Sequence, residues 1–67
     1  MNIREEIGAR LRALREDQGL TTRELAERCG IIQSHIVRLE SGRYGFTVDT
    51  LATICEALGA KIEIIKK

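Results

Sequence analysis

In a chain of 67 residues without proline, glycine is the residue that stops helices, and it stands at Gly19, Gly30, Gly42 and Gly59. A helix commonly ends where one residue turns left-handed, which glycine does without a Cβ penalty. Stops at these intervals cut the chain into short helical pieces and leave no stretch for a long one. The starts are marked as well. Asn2 with Glu5, and Thr21 with Glu24, have the reciprocal spacing of a capping box. Thr47 is a further N-cap candidate.

The apolar residues between these marks recur at helical intervals. Ile3, Ile7, Leu11 and Leu14 form the stripe of a first helix, closed by Gly19. Leu25, Ala26 and Cys29 give a short second helix its inner face, and Gly30 stops it. A third runs from about Gln33 to Ser41 with Ile36 and Leu39 inward, and Gly42 ends it. A fourth follows Thr47 with Val48, Leu51, Ala52, Cys55 and Leu58 inward, up to Gly59. The tail KIEIIKK changes to a period of two, which predicts a short exposed strand. The expected architecture is all-α: a four-helix domain over residues 1–60 and a C-terminal β-strand over 61–67. A lone strand lacks a ladder partner. Either the tail frays or packs as an extension, or it pairs with a second copy and buries Ile62, Ile64 and Ile65 in a dimer.

Size and chemistry exclude several classes. A chain this short buries only about 60% of its unfolded surface, so the core is marginal. Two cysteines, Cys29 and Cys55, and a single histidine, His35, fall short of the usual four zinc ligands. The thiols read as small buried apolar groups, and no metal or cofactor is expected. No apolar run approaches the roughly 20 residues of a membrane span. The charged opening has no signal-peptide pattern, so a reducing cytoplasm is the expected location. With no nucleophile beside a base and no phosphate-cradling glycine loop, enzyme activity is not expected.

The third helix carries the informative surface. A solvent face normally holds Glu, Lys and Ala. Opposite Ile36 and Leu39, periodicity places Gln33, Ser34, Val37 and Arg38, with His35 and Glu40 on the flanks. A short helix, a glycine-containing turn and a second short helix are the parts of a helix-turn-helix, whose second helix enters the DNA major groove. Gln33 can donate and accept at an adenine edge, Arg38 can reach guanine's two acceptors or a phosphate, and Val37 can rest on a thymine methyl. His35 is placed near a phosphate. Tyr44 reaches a phosphate or lies on the surface, and Phe46 tucks into the core. Arg10, Arg12, Arg23 and Arg28 read as solvated helix charges balanced by Glu6, Glu16, Glu24 and Glu27, with one or two, Arg23 among them, as backbone contacts. The net charge of +1 gives no global attraction to a polyanion. Eight of the eleven basic residues are arginine, which suits bidentate phosphate contacts or reflects a GC-rich genome.

The segments LRALREDQGLT, RELAERCGI, IVRLESG and TLATICEALG together resemble the phage-repressor (Cro-like, XRE) helix-turn-helix family, across residues 7–60. The resemblance implies the lambda-repressor-like fold and a base-reading role for Gln33, Ser34, Val37 and Arg38. It implies phosphate contacts at Thr22 and Arg43, and an ion pair between Arg15 and Glu40 linking the first and third helices. Two positions depart from the family pattern. Thr22 stands where glutamine is common, with less reach, and Ile32 stands where a small hydroxyl residue caps the reading helix. Losing that cap costs about 1 kcal/mol. Either Ile32 contacts a thymine methyl, or the helix starts later, at Ser34.

The expected function is sequence-specific DNA binding by a transcriptional regulator, a repressor that binds a double-stranded operator as a homodimer. Two reading helices would then enter successive major grooves about 34 Å apart. Length leaves no room for an effector-binding domain, so regulation is expected through another protein or through abundance. The resemblance extends to small antitoxins that bind a cognate toxin and repress their own operon. The alternative is a protein-interaction module of the same fold that no longer binds DNA, favoured by the near-neutral charge, Thr22 and Ile32.

Overall fold

A computed structural model describes residues 2–67. Both capping boxes close. The Asn2 carboxamide accepts the Glu5 N–H at 2.9 Å while a Glu5 carboxylate oxygen accepts the Asn2 N–H at 3.1 Å. Thr21 and Glu24 do the same at 3.0 and 2.9 Å. These caps and Thr47, whose hydroxyl accepts the Thr50 N–H at 3.1 Å, start three of the four helices. The elements are α1 (Ile3–Asp17), α2 (Thr22–Cys29), α3 (Gln33–Ser41) and α4 (Val48–Ala57).

The core lies where the four meet. Leu25, Ile36 and Ile54 are its most completely buried large side chains, and Leu11, Leu39 and Leu58 surround them. Burying each such aliphatic contributes about 1.5–3 kcal/mol. Phe46 packs against this core, half-buried. Gln18 Nε2 donates to the Leu58 carbonyl at 2.7 Å, joining the end of α1 to the end of α4.

One close approach fixes the α1–α3 spacing. A Cβ at Gly8 would lie 2.5 Å from the Leu39 carbonyl oxygen and 2.7 Å from that of Glu40. Glycine there lets α1 press its backbone against α3. At the far end of α3, Gly42 takes φ of 72°, and a Cβ would collide with the Glu5 backbone.

Three expectations need correction. The strand over residues 61–67 is absent: no residue of that tail is in a strand, because no second strand among the described residues offers a ladder. Ile62, Ile64 and Ile65 lie in this irregular tail, where Ile64 stands 97% exposed. Second, Ile3, Leu14, Val48 and Ala52 are exposed rather than inward. Third, Ile54, beside the stripe expected of α4, is buried, as is Leu20 in the α1–α2 turn. Ile3 and Val48 open their helices, beyond the neighbours that would cover them, while Leu14 and Ala52 stand between buried residues of their own helices, on an arc turned away from the core.

Candidate nucleic-acid interface

The pose of α3 is set from its inner side. Ile36 and Leu39 are almost fully buried. The turn between α2 and α3 is closed by Gly30 at φ 68°, and half-buried Ile31 anchors it to the core. An ion pair then pins the helix from α1. Arg15 Nε donates to Glu40 Oε2 at 2.7 Å and Nη2 to Oε1 at 3.0 Å, while Nη1 donates to the Leu20 carbonyl at 2.6 Å. The two side chains are only 10% and 8% exposed. This is the side-on, two-pronged geometry that gives an arginine–carboxylate pair its directionality. The hydrogen bond to Glu40 holds the Arg15 guanidinium pKa above its already high ordinary value. Every buried side-chain donor and acceptor among the described residues is satisfied.

The outer side of α3 is therefore fixed. Gln33, Ser34, His35, Val37 and Arg38 are all exposed, Val37 by half. Two of the long polar groups are held by neighbours. Gln33 Nε2 donates to the Thr22 hydroxyl at 3.0 Å, bridging α3 to the first residue of α2. The Arg38 guanidinium lies over the Tyr44 ring, 5.1 Å from its centroid. Beyond the helix, the Ser41 hydroxyl donates to the Arg38 carbonyl at 2.6 Å and accepts the Arg43 N–H at 3.3 Å. Arg43 and Tyr44 are exposed in the loop that follows.

Ile32 occupies the N-cap of α3 with no side-chain cap bond and is 75% exposed beside Gln33. The helix nonetheless begins at Gln33, with the His35 N–H on the Ile32 carbonyl at 3.0 Å, so a later start at Ser34 does not occur. Arg23 is exposed on α2 and pairs with Glu27 at 3.7 Å. Arg10 and Arg12 likewise form exposed pairs along α1 with Glu6 and Glu16. Such pairs contribute about 0.3–0.5 kcal/mol each.

Of the tail isoleucines, Ile62 lines a groove away from α3, and Ile64 and Ile65 are exposed. A groove of about 440 Å³ between α1 and α4 is lined by Ile3, Ile7, Leu14, Leu51 and Ile62, with Glu6, Arg10, Lys61 and Glu63 at its rim. Cys55 opens onto it and Cys29 lies against the core. Burial pushes both thiols' pKa values up, which favours the inert neutral form. Among the described residues, no three His, Cys, Asp or Glu side chains are grouped to hold a metal, and no helix is long and apolar enough to cross a membrane.

Two contacts at this interface were invisible in the sequence. Gln33 and Thr22 lie on different helices, and Tyr44 reaches Arg38 only because the chain reverses at Gly42. Gly8 did carry a signal, a lone glycine inside an otherwise helical pattern, which marks the close approach of α1 to α3.

Comparison with known proteins bears on these features. Residues 6–63 match the family described as "Helix-turn-helix domain". An uncharacterized HTH-type transcriptional regulator of Sinorhizobium fredii is 36% identical over 66 residues, 97% of this chain and 86% of the relative. The immunity repressor protein of Bacillus phage phi105 is 32% identical over 59 residues, but this chain spans only 41% of its length. Among solved structures, the clp gene regulator ClgR from Corynebacterium glutamicum superposes with a TM-score of 0.85 at 43% identity, over 91% of this chain and 65% of that one. A second ClgR structure gives 0.87 at 42% identity, over 92% and 80%.

Proposed function

The chain belongs to the helix-turn-helix domain family of transcriptional regulators, and from that premise we propose that α3 reads base-pair edges in the major groove of an operator. One observation carries this reading. Ile36 and Leu39 are buried and Glu40 is locked to Arg15, which leaves Gln33, Ser34, Val37 and Arg38 as the outward face. Their chemistry suits base edges: an amide for adenine, a guanidinium for guanine, a hydroxyl for either, an aliphatic for a thymine methyl. Thr22, Arg23, His35, Arg43 and Tyr44 flank that face, where contacts to phosphates would set register without reading sequence.

Repression is the form of regulation this reading favours, since one relative is named an immunity repressor. A homodimer on a near-palindromic site follows from the size of one reading helix. The groove between α1 and α4, apolar in its floor and ringed by charges of both signs, suits contact with an identical copy. DNA as the ligand puts the protein's work in the cytoplasm. The antitoxin form of this reading requires a cognate toxin. A toxin-like neighbouring reading frame supports it, and a divergent phage gene supports a free-standing repressor.

The test is a titration of labelled duplexes at two salt concentrations, using a site selected from random sequence and a scrambled control. Arg38→Ala and Gln33→Ala should reduce discrimination between the two duplexes, each by roughly 5- to 150-fold for a lost bidentate contact. Arg43→Ala should weaken both alike and lower the salt slope by about 1. Equal losses on both duplexes for all three variants would refute the assignment. A second reading, an interaction module that does not touch DNA, is favoured by the net charge of +1 and the uncapped, exposed Ile32. No saturable binding at low salt would select it.

A further inference from the structure

Tyr44 has no packing role to explain it. It is 53% exposed and lies outside the core cluster, yet its ring lies beneath the Arg38 guanidinium, 5.1 Å from centroid to Cζ. That is within the roughly 6 Å over which a cation is attracted to an aromatic face. The loop that presents the ring is tied to the helix turn that presents the arginine. Gly42 reverses the chain at φ 72°, and the Ser41 hydroxyl bonds the Arg38 carbonyl on one side and the Arg43 N–H on the other. None of the ion pairs among the described residues involves Arg38, so the ring is the partner that orients its head group.

We propose that Tyr44 is a positioning residue that sets sequence specificity by holding Arg38 ready to read a guanine. This rests on the reading of α3 given above. Stacking uses only the face of the guanidinium. All of its N–H donors lie in the plane, so the two-pronged fork for guanine O6 and N7 is left unspent. An arginine held this way loses less rotamer freedom when DNA arrives. The hydroxyl of Tyr44 has no part in this, which separates the proposal from a phosphate contact.

Two measurements test it. The first needs no DNA: in the free protein, ring-current shifts should move the Arg38 side-chain protons upfield, and Tyr44→Leu should abolish the displacement while Tyr44→Phe preserves it. Unshifted protons in the wild type would overturn the contact. The second selects bound sequences from a random duplex pool with wild type, Arg38→Ala, Tyr44→Phe and Tyr44→Leu, each checked for an unchanged melting curve. Arg38→Ala should erase preference at one position of each half-site. Tyr44→Leu should weaken preference at that same position by about 2- to 5-fold, the size of an exposed cation–π contact. Tyr44→Phe should keep the wild-type preference at that position, because a phosphate contact by the hydroxyl would change affinity for every duplex alike. Preference weakened at every position alike, or Tyr44→Phe losing preference at that position as Tyr44→Leu does, would overturn the proposal. If the wild type enriches nothing while the ring-current shift is present, the failure belongs to the DNA-binding reading.

Discussion

Replacing Glu40 by alanine should bring this domain to the edge of unfolding. The variant removes both carboxylate acceptors from Arg15, at 2.7 and 3.0 Å, and leaves a guanidinium whose side chain is 10% exposed with one protein partner, the Leu20 carbonyl. Breaking a buried pair from one side costs about 3–5 kcal/mol, because a desolvated charge is stranded. A domain of this length has roughly 3–10 kcal/mol in total, at 0.05–0.15 per residue. With a urea slope of about 1 kcal/mol per molar, the midpoint should fall by about 3–5 M. Urea titration followed by far-ultraviolet circular dichroism measures this directly. Glu40→Leu combined with Arg15→Met should be neutral or stabilising, since replacing both charges strands neither. A loss below about 1 kcal/mol in Glu40→Ala, the value of a surface pair, would refute the argument that this contact locks α3 to α1.

Three further outcomes follow from the same geometry. Gly8→Ala should destabilise by about 1–3 kcal/mol in a thermal melt despite alanine's better helix propensity, because the added methyl meets two backbone carbonyls of α3. Ile32→Ser should stabilise by about 0.5–1 kcal/mol, raising Tm by roughly 2–8 °C, since the N-cap backbone is already extended and lacks only the side-chain acceptor. Hydrogen bonding with the Thr21 backbone, then with its hydroxyl, holds the Glu24 carboxyl pKa below its ordinary value. A depressed carboxyl pKa gives stability that is present above the unfolded-state value and lost as pH falls through the folded one. Acid titration of stability should therefore be flatter in Glu24→Gln than in wild type over the ordinary glutamate range and below.

The helices were legible because their ends are chemical. Asn2, Thr21 and Thr47 supply acceptors to orphan N–H groups, and Gly30 and Gly42 supply left-handed stops, all from local sequence. The outward face of α3 was legible for a related reason: two buried aliphatics fix a helix's rotation. What local sequence does not contain is the neighbour. The alternating tail predicted a strand, but alternation supplies only half of a ladder, and the tail is irregular. Val48 opens α4 beyond the core, and Leu14, between buried Leu11 and Arg15, is turned partly outward, though both fit their stripes. A stripe through Val48 and Ala52 passes Ile54 by, and only the shared core with Leu25 and Ile36 shows which arc of α4 faces inward. The hold of Thr22 on Gln33 and of Tyr44 on Arg38 depends on how turns bring separate segments together.

The most direct measurement is amide chemical-shift mapping of the protein during titration with its selected duplex. The expected result is perturbation centred on Gln33, Ser34, Val37 and Arg38, extending to Thr22 and Arg43, with the groove residues Ile7, Leu14 and Leu51 unmoved at constant oligomeric state. Perturbation centred on the α1–α4 groove, with α3 silent, would contradict it.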